Sequence, residues 1–314
     1  MKKTFLVAAL LLGIFASPLR AGLLEDVLSF DGRDNVLEDN SRGLLHDLDQ
    51  DGDLSSGDVV TGLIRIDRRN SPTPTPSMDD RKQLIIAYSF EVEDVASIDN
   101  TPFSSITYVP ASSGTGLDIK SLLGDTHEPA GFVDWAKVSL AVMERTFAAD
   151  DSANNPVSNT VTAGADLIDD VLGDGSGYTL DVLGGFDDAD DFYHQLITGS
   201  PGIDISDIRD ATGAATLGTQ SGGFSVLYDN LGAARVFRQV SATSVINNAV
   251  TQHDLGLEGG LLLGNNEANW GFADKANIRL NVVPEPATWV LVLMAGCVGL
   301  MRGTRRRSLA DRDR

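Results

Sequence analysis

The sequence predicts a mainly β protein: an antiparallel β-sandwich or jelly-roll-like body with a few short helices, an N-terminal signal peptide and a C-terminal transmembrane helix. Three observations lead there. Thirty-two glycines and 11 prolines in 314 residues, with only 6% aromatic side chains, describe a chain rich in turns. Seven runs have strand character: residues 83–93, 104–111, 136–147, 177–186, 223–230, 233–242 and 276–283, separated by Gly, Asn, Asp and Pro clusters. No internal repeat of solenoid period is present.

The first segment, MKKTFLVAALLLGIFASPLRAG, opens with Lys2 and Lys3, continues with an apolar stretch from Phe5 to Ala16, and reaches Pro18 and the small residue Ala21. That is the layout of a secretory signal peptide over 1–21, read by signal peptidase and the general secretion machinery. The apolar stretch is shorter than the roughly 20 residues a membrane span needs. The sole cysteine, Cys297, lies in the C-terminal apolar run, so the body has no disulfide and no thiolate chemistry.

Residues 22–70 form an N-terminal segment built around DLDQDGDLSSGD, residues 47–58. Asp47, Asp49 and Asp51 stand at positions 1, 3 and 5, Gly52 at 6, Asp53 at 7, Ser55 at 9 and Asp58 at 12. Calcium takes about six to eight hard oxygens, and this spacing wraps alternate side chains around one point while Gly permits the sharp turn. The loop resembles those of EF-hand and dockerin proteins, the latter more closely because position 12 is Asp. The resemblance implies calcium held by the side chains of Asp47, Asp49, Asp51 and Asp58, by Asp53 through its main chain, and weakly or through water by Ser55. The following VVTGLIRID fits either a helix, with Val59, Val60, Leu63 and Ile64 on one stripe, or a strand; its β-branched content and central Gly62 favour the strand, which makes the loop a calcium-pinned β-turn rather than a true EF-hand.

Pro72, Pro74 and Pro76 enforce extended backbone over residues 71–80, a Pro/Thr-rich linker or loop that sets this piece apart from a β-rich domain over 81–283. Within that domain, 136–147 fits either a helix or a strand, and the alternation of Val138, Leu140 and Val142 selects the strand. DDADDFYHQLIT, residues 187–198, reads as a short helix whose leading acids suit the macrodipole. Asp187, Asp188, Asp190 and Asp191 are then a solvated helix start rather than a second cation site.

The chain closes with VPEPATWVLVLMAGCVGLMRGTRRR, residues 283–307. The apolar run from Ala287 to Met301, as a helix of about 22 Å, falls short of the roughly 30 Å of hydrocarbon. Arginines beyond it favour the cytoplasmic side, leaving the body outside. Pro284, Glu285 and Pro286, the apolar helix, and the cluster Arg305, Arg306 and Arg307 together resemble the PEP-CTERM sorting signal over 284–307, with a polar tail at 308–314. The resemblance implies processing by an exosortase-type enzyme of a Gram-negative bacterium. It also implies an inner-membrane-anchored intermediate, followed by release to the cell surface or extracellular matrix.

Without the two ends the chain carries 15 basic and 42 acidic residues, a net charge of -27. Such a body repels nucleic acid and binds anionic exopolysaccharide only where a cation such as calcium intervenes. His46, His127, His194 and His253 belong to no metal motif and read as isolated, exposed side chains; no nucleophile elbow occurs. The sequence therefore points to a non-enzymatic exported protein. The alternative is a secreted carbohydrate-active enzyme on a β-sandwich scaffold, with paired carboxylates in an aromatic-lined groove; Trp135, Trp270, Tyr178 and Tyr193 are the aromatics such a platform could use, although core packing is the first reading for each.

Overall fold

The computed structural model describes residues 35–70, 82–124, 129, 131–146, 178–198, 216–231, 235–263 and 272–284. The signal peptide, the 71–80 stretch and the sorting signal beyond Pro284 lie outside them. Among the described residues the chain is mainly β. The first strands are β1 (Asn35–His46), β2 (Val59–Asn70), β3 (Lys82–Ser97), β4 (Phe103–Pro110) and β5 (Val138–Thr146). Next come β6 (Thr179–Gly185), β7 (Phe192–Thr198), β8 (Thr216–Asp229) and β9 (Arg235–Arg238). The last are β10 (Val240–Thr243), β11 (Val250–His253), β12 (Leu255–Leu263) and β13 (Phe272–Pro284). One short helix, α1 (Ile119–Leu123), starts at Asp118, whose side chain accepts from Ser121 N.

The pairings close on themselves. β12, β13, β1, β2, β3, β4, β7 and β8 neighbour one another in that order, all antiparallel, and β8 pairs back to β12. Three positions of this circuit are shared by two strands laid end to end. β3 carries β4 along Phe90–Ser97 and β5 along Lys82–Tyr88. β8 carries β7 along Gly218–Gly223 and β6 along Ser225–Asp229. β13 carries β12 along Phe272–Leu280 and β9 along Asn281–Pro284. Counting each such pair as one, the chain is an eight-position antiparallel meander closed by β1 against β13. Three excursions break it, at 111–137, 186–191 and 239–254, and the last is the β10–β11 hairpin.

Alternation explains the two cores. In β3, Leu84, Ile86, Tyr88, Phe90 and Val92 enter the interior cluster, while Ile85 and Ala87 point outward into a second one. The interior cluster draws on every position of the circuit, from Leu37 in β1 to Leu280 and Val282 in β13. The outer cluster forms where the first excursion returns over the sheet, laying Ile119, Leu122, Leu123 and Val133 on Leu63, Ala141, Met143 and Leu183. β3 is therefore apolar on both faces, whereas β7 presents polar His194 on its outer face.

Several expectations need correction. The pairing describes one closed circuit plus a two-stranded hairpin, not a sandwich of two sheets or a jelly roll. The helix expected at 187–198 is instead a turn followed by β7. Tyr193 and Ile197 face the interior on alternate positions, and both edges of β7 are used, by β4 and β8. The leading acids suit a tight turn as well as a helix start, and β pairing decides between them. The run 233–242 is two strands, β9 and β10, because the chain leaves β13 after Arg238. β2 and β3 pair across residues 71–80, so the acidic-loop segment and the later strands belong to one sheet. VVTGLIRID lies within β2, a strand as expected.

Candidate metal centre

The acidic loop connects β1 to β2 at one pole of the barrel. Its shape follows from short side chains bonding nearby amides. The Asp47 carboxylate accepts from Gln50 N at 2.6 Å and from Gly52 N at 3.0 Å. Gln50 and Gly52 take φ values of 60° and 87°, so the second position suits Gly. The Asp49 carboxylate accepts from Asp51 N at 3.2 Å and from Ser55 Oγ at 3.3 Å. Leu54, buried among the interior residues, pins the loop to the barrel end.

Asp58 closes the loop from beneath. Its side chain is buried and accepts from Leu48 N at 3.0 Å and Ser55 N at 2.8 Å. Its backbone is tied to β3 by Val92 N donating to Asp58 O at 2.7 Å. Burial, reinforced by the charges of Asp47 and Asp49, raises its pKa against the amide bonds that lower it.

Carboxylate oxygens of Asp47, Asp49 and Asp58 all lie within 4.8 Å of one another. Oxygens bound to one calcium at about 2.3–2.6 Å stand no farther apart than roughly 5 Å, so these three fit a single hard cation. Of the predicted set, Asp51 and Asp53 stand outside this group. Asp51 is exposed and spends an oxygen on Asp53 N at 2.8 Å. Ser55 reaches the group through its bond to Asp49. Pro284 ends β13, while Glu285, Pro286, Arg305, Arg306 and Arg307 lie outside the described residues.

A second polar cluster, where the excursions meet, has no local signal in the sequence. His253 is not an isolated exposed residue: its side chain and that of Asp191 are each 1% exposed, and Nδ1 lies 2.9 Å from Asp191 Oδ1. Its Nε2 lies 2.6 Å from Thr251 Oγ1. The other Asp191 oxygen accepts from Asp187 N, Asp188 N and Ser225 Oγ at 2.8, 2.9 and 2.8 Å. Burial works against this carboxylate, yet the bonds from His253, the two amides and Ser225 hold its pKa below the usual 3.8. The acids at 187–191 thus organise a turn, and Lys137 crosses from the first excursion to Asp187 at 2.6 Å. His194, half-buried, pairs with Ser244 of the hairpin at 2.9 Å, and burial lowers its pKa. His46 sits 2.8 Å from Thr61 Oγ1; His127 is outside the described residues.

Opposite pH dependences follow. A raised Asp58 favours the metal-free fold most below the ordinary carboxylate value of 3.8, and that support fades as pH climbs through its higher folded value. A lowered Asp191 stabilises the fold above 3.8, and that support is lost as pH falls through its folded value. Unfolding free energies in EDTA between about pH 3 and pH 7 for the wild type, Asp58→Asn and Asp191→Asn measure both slopes. Slopes of the same sign for the two carboxylates would refute the assignment.

No protein-family model, curated protein or solved structure matches this chain.

Proposed function

We propose that this is a non-enzymatic exported protein, sorted and processed at its PEP-CTERM-like signal. Calcium stiffens its acidic loop and bridges it to anionic exopolysaccharide at the cell surface or in the matrix. The observation that carries the calcium reading is the convergence of Asp47, Asp49 and Asp58 on one point while Asp58 is buried. A carboxylate kept out of water beside two others is costly unless a cation compensates it. With calcium bound, its two positive charges would offset two of the three and relieve their mutual repulsion.

Placement supports display. β1 runs antiparallel to β13, so the loop after His46 lies at the pole where β13 begins, opposite the pole where it reaches Pro284. A body tethered through its C-terminus would hold the acidic loop outward. The alternative enzyme reading loses two of its aromatic candidates. Tyr178 is buried in the outer core, and Tyr193 stacks on Phe90 at 4.3 Å inside the barrel. A cavity there, lined by Leu37, Ile86, Val182, Phe224, Leu255 and Ile278, has a volume of about 20 Å³, which is room for a water molecule rather than a sugar.

Calorimetric titration of the exported body with calcium, and its melting with and without EDTA, test the metal. Binding at one site and a fall in Tm on chelation are expected, and an unchanged Tm with no heat of binding would end the calcium reading. Calcium-dependent retention on exopolysaccharide tests the bridge separately.

A further inference from the structure

The turn of the β10–β11 hairpin is organised by one buried residue, Ser244, 3% exposed. Its N donates to Ala249 O at 2.9 Å, and its O accepts from Asn248 N at 2.9 Å. Its Oγ accepts from Ile246 N at 3.2 Å and from Asn247 N at 3.5 Å. A hydroxyl has two acceptor lone pairs and one proton to give. With both lone pairs spent on the turn, the Ser244 proton goes to His194 Nδ1 of β7, at 2.9 Å. That bond fixes the imidazole as neutral, bare at Nδ1 and protonated at Nε2.

The barrel grips the same turn at an adjoining point. Val245 N donates to Ser221 Oγ at 2.9 Å, and Ser221 of β8 is the register partner of His194. The base of the hairpin is held by the His253–Asp191 clasp. Phe192 lies between the two imidazoles, 4.8 Å from His194 and 5.6 Å from His253. Their surroundings differ in charge. His253 faces Asp191, and Asp188 and Asp254 belong to the same cluster. Around His194 the side chains are uncharged: Thr107 of β4 and Ser221 of β8 in register, Phe192 and Leu196 two residues away on β7, and Ser244 of the hairpin. Asp94 of β3 lies beyond Thr107 and is exposed.

We infer that His194 is a pH-sensitive latch on the hairpin, closed when its ring is neutral and released when Nδ1 takes a proton. Protonation turns the acceptor of the Ser244 hydroxyl into a donor. Ser244 then either gives up an amide of the turn to receive that proton or parts from the ring. Among the described residues no carboxylate bonds His194 to compensate the charge, and burial lowers its pKa. The latch therefore supports the closed hairpin fully above the ordinary histidine value of 6.5, and that support is lost as pH falls through the lower folded value. At the base the same acidification acts differently, because a proton on His253 meets the Asp191 carboxylate. The hairpin opens from its turn while its base stays clasped, uncovering Phe192, which is 9% exposed when it is shut. The latch rests on neither the calcium nor the sorting reading.

Hydrogen exchange of the full-length protein at about pH 7.5 and about pH 5, corrected for the intrinsic pH dependence of amide exchange, tests it. Protection of the Val245 and Asn248 amides is expected to fall severalfold on acidification, while the base of the hairpin at Val240 and His253 keeps its own. His194→Gln offers Ser244 an acceptor that does not titrate, and is expected to hold the turn's protection constant between the two conditions. No loss in the wild type, an equal loss at both ends of the hairpin, or an undiminished loss in the variant overturns the inference. Should the variant fail to fold, the imidazole nitrogen NMR shifts of the wild type still decide. Nδ1 of His194 is expected to be the bare nitrogen near neutral pH, and a proton found there removes the latch.

Discussion

Phe90→Ala is expected to lower the unfolding free energy by about 3–5 kcal/mol, the range for truncating a buried aromatic ring. Phe90 is 1% exposed and meets five rings: Tyr88, Tyr108, Phe186, Tyr193 and Phe224. The two closest, Tyr193 at 4.3 Å and Phe224 at 5.8 Å, come from β7 and β8, two and three positions around the circuit from β3, so the ring joins β3 to strands it does not pair with. Relaxation into the space is obstructed by a buried polar network. Tyr108 Oη donates to Gln195 Oε1 at 2.8 Å, and Tyr193 Oη donates to Gln220 Oε1 at 2.6 Å. Collapse of either tyrosine toward the vacancy would break those bonds, so most of the cavity term should remain. Urea unfolding of Phe90→Ala measures the loss, and a value below about 1.5 kcal/mol would mean that the cluster packs less tightly than its distances indicate.

Asp191→Ala should cost a similar amount, about 3–5 kcal/mol, for an electrostatic reason. The substitution strips four donors of one acceptor residue: the His253 ring, the Ser225 hydroxyl and the amides of Asp187 and Asp188. Water cannot readily replace it, because the two paired side chains are 1% exposed. Asp191→Asn keeps one oxygen and should cost about 1–2 kcal/mol, losing the charge while sparing part of the turn. The loss should be local before it is global. Hydrogen exchange is expected to speed up first in β10 and β11, since His253 is one of the side chains that fasten this hairpin to the barrel. The His253 ring also packs against Gly223 of β8, where an added Cβ would fall 2.1 Å from it. A stability change below about 1 kcal/mol with unchanged exchange in the hairpin would show that the clasp is incidental.

What could be read from the chain depended on how local the signal was. β3 was legible because QLIIAYSFEVE is β-branched and apolar on both faces, a pattern that two-sided burial requires. The acidic loop was legible because its twelve residues hold themselves in shape, although which carboxylates converge depends on the position of Asp58 against β3. β12 escaped notice because LGLEGGLLL is rich in Gly, and β1 because its middle, LEDNSRG, is polar; tertiary pairing overrides both. β7 was read as a helix because a turn made of aspartates looks like a helix start until its partners are known. The Asp191–His253 clasp joins residues 62 positions apart, and nothing in either neighbourhood announces the other. Closure into a ring was likewise unreadable, since it rests on β1 meeting β13.

That last meeting has a kinetic consequence. Among the described residues the first strand and the last are hydrogen-bonded neighbours, so a ribosome must pass residue 272 before the ring can shut. Contacts of such long sequence separation make for slow folding, typically milliseconds to seconds in all-β domains. Until β13 arrives, β1 and β12 each wait for the strand that joins them, and the ring stays open.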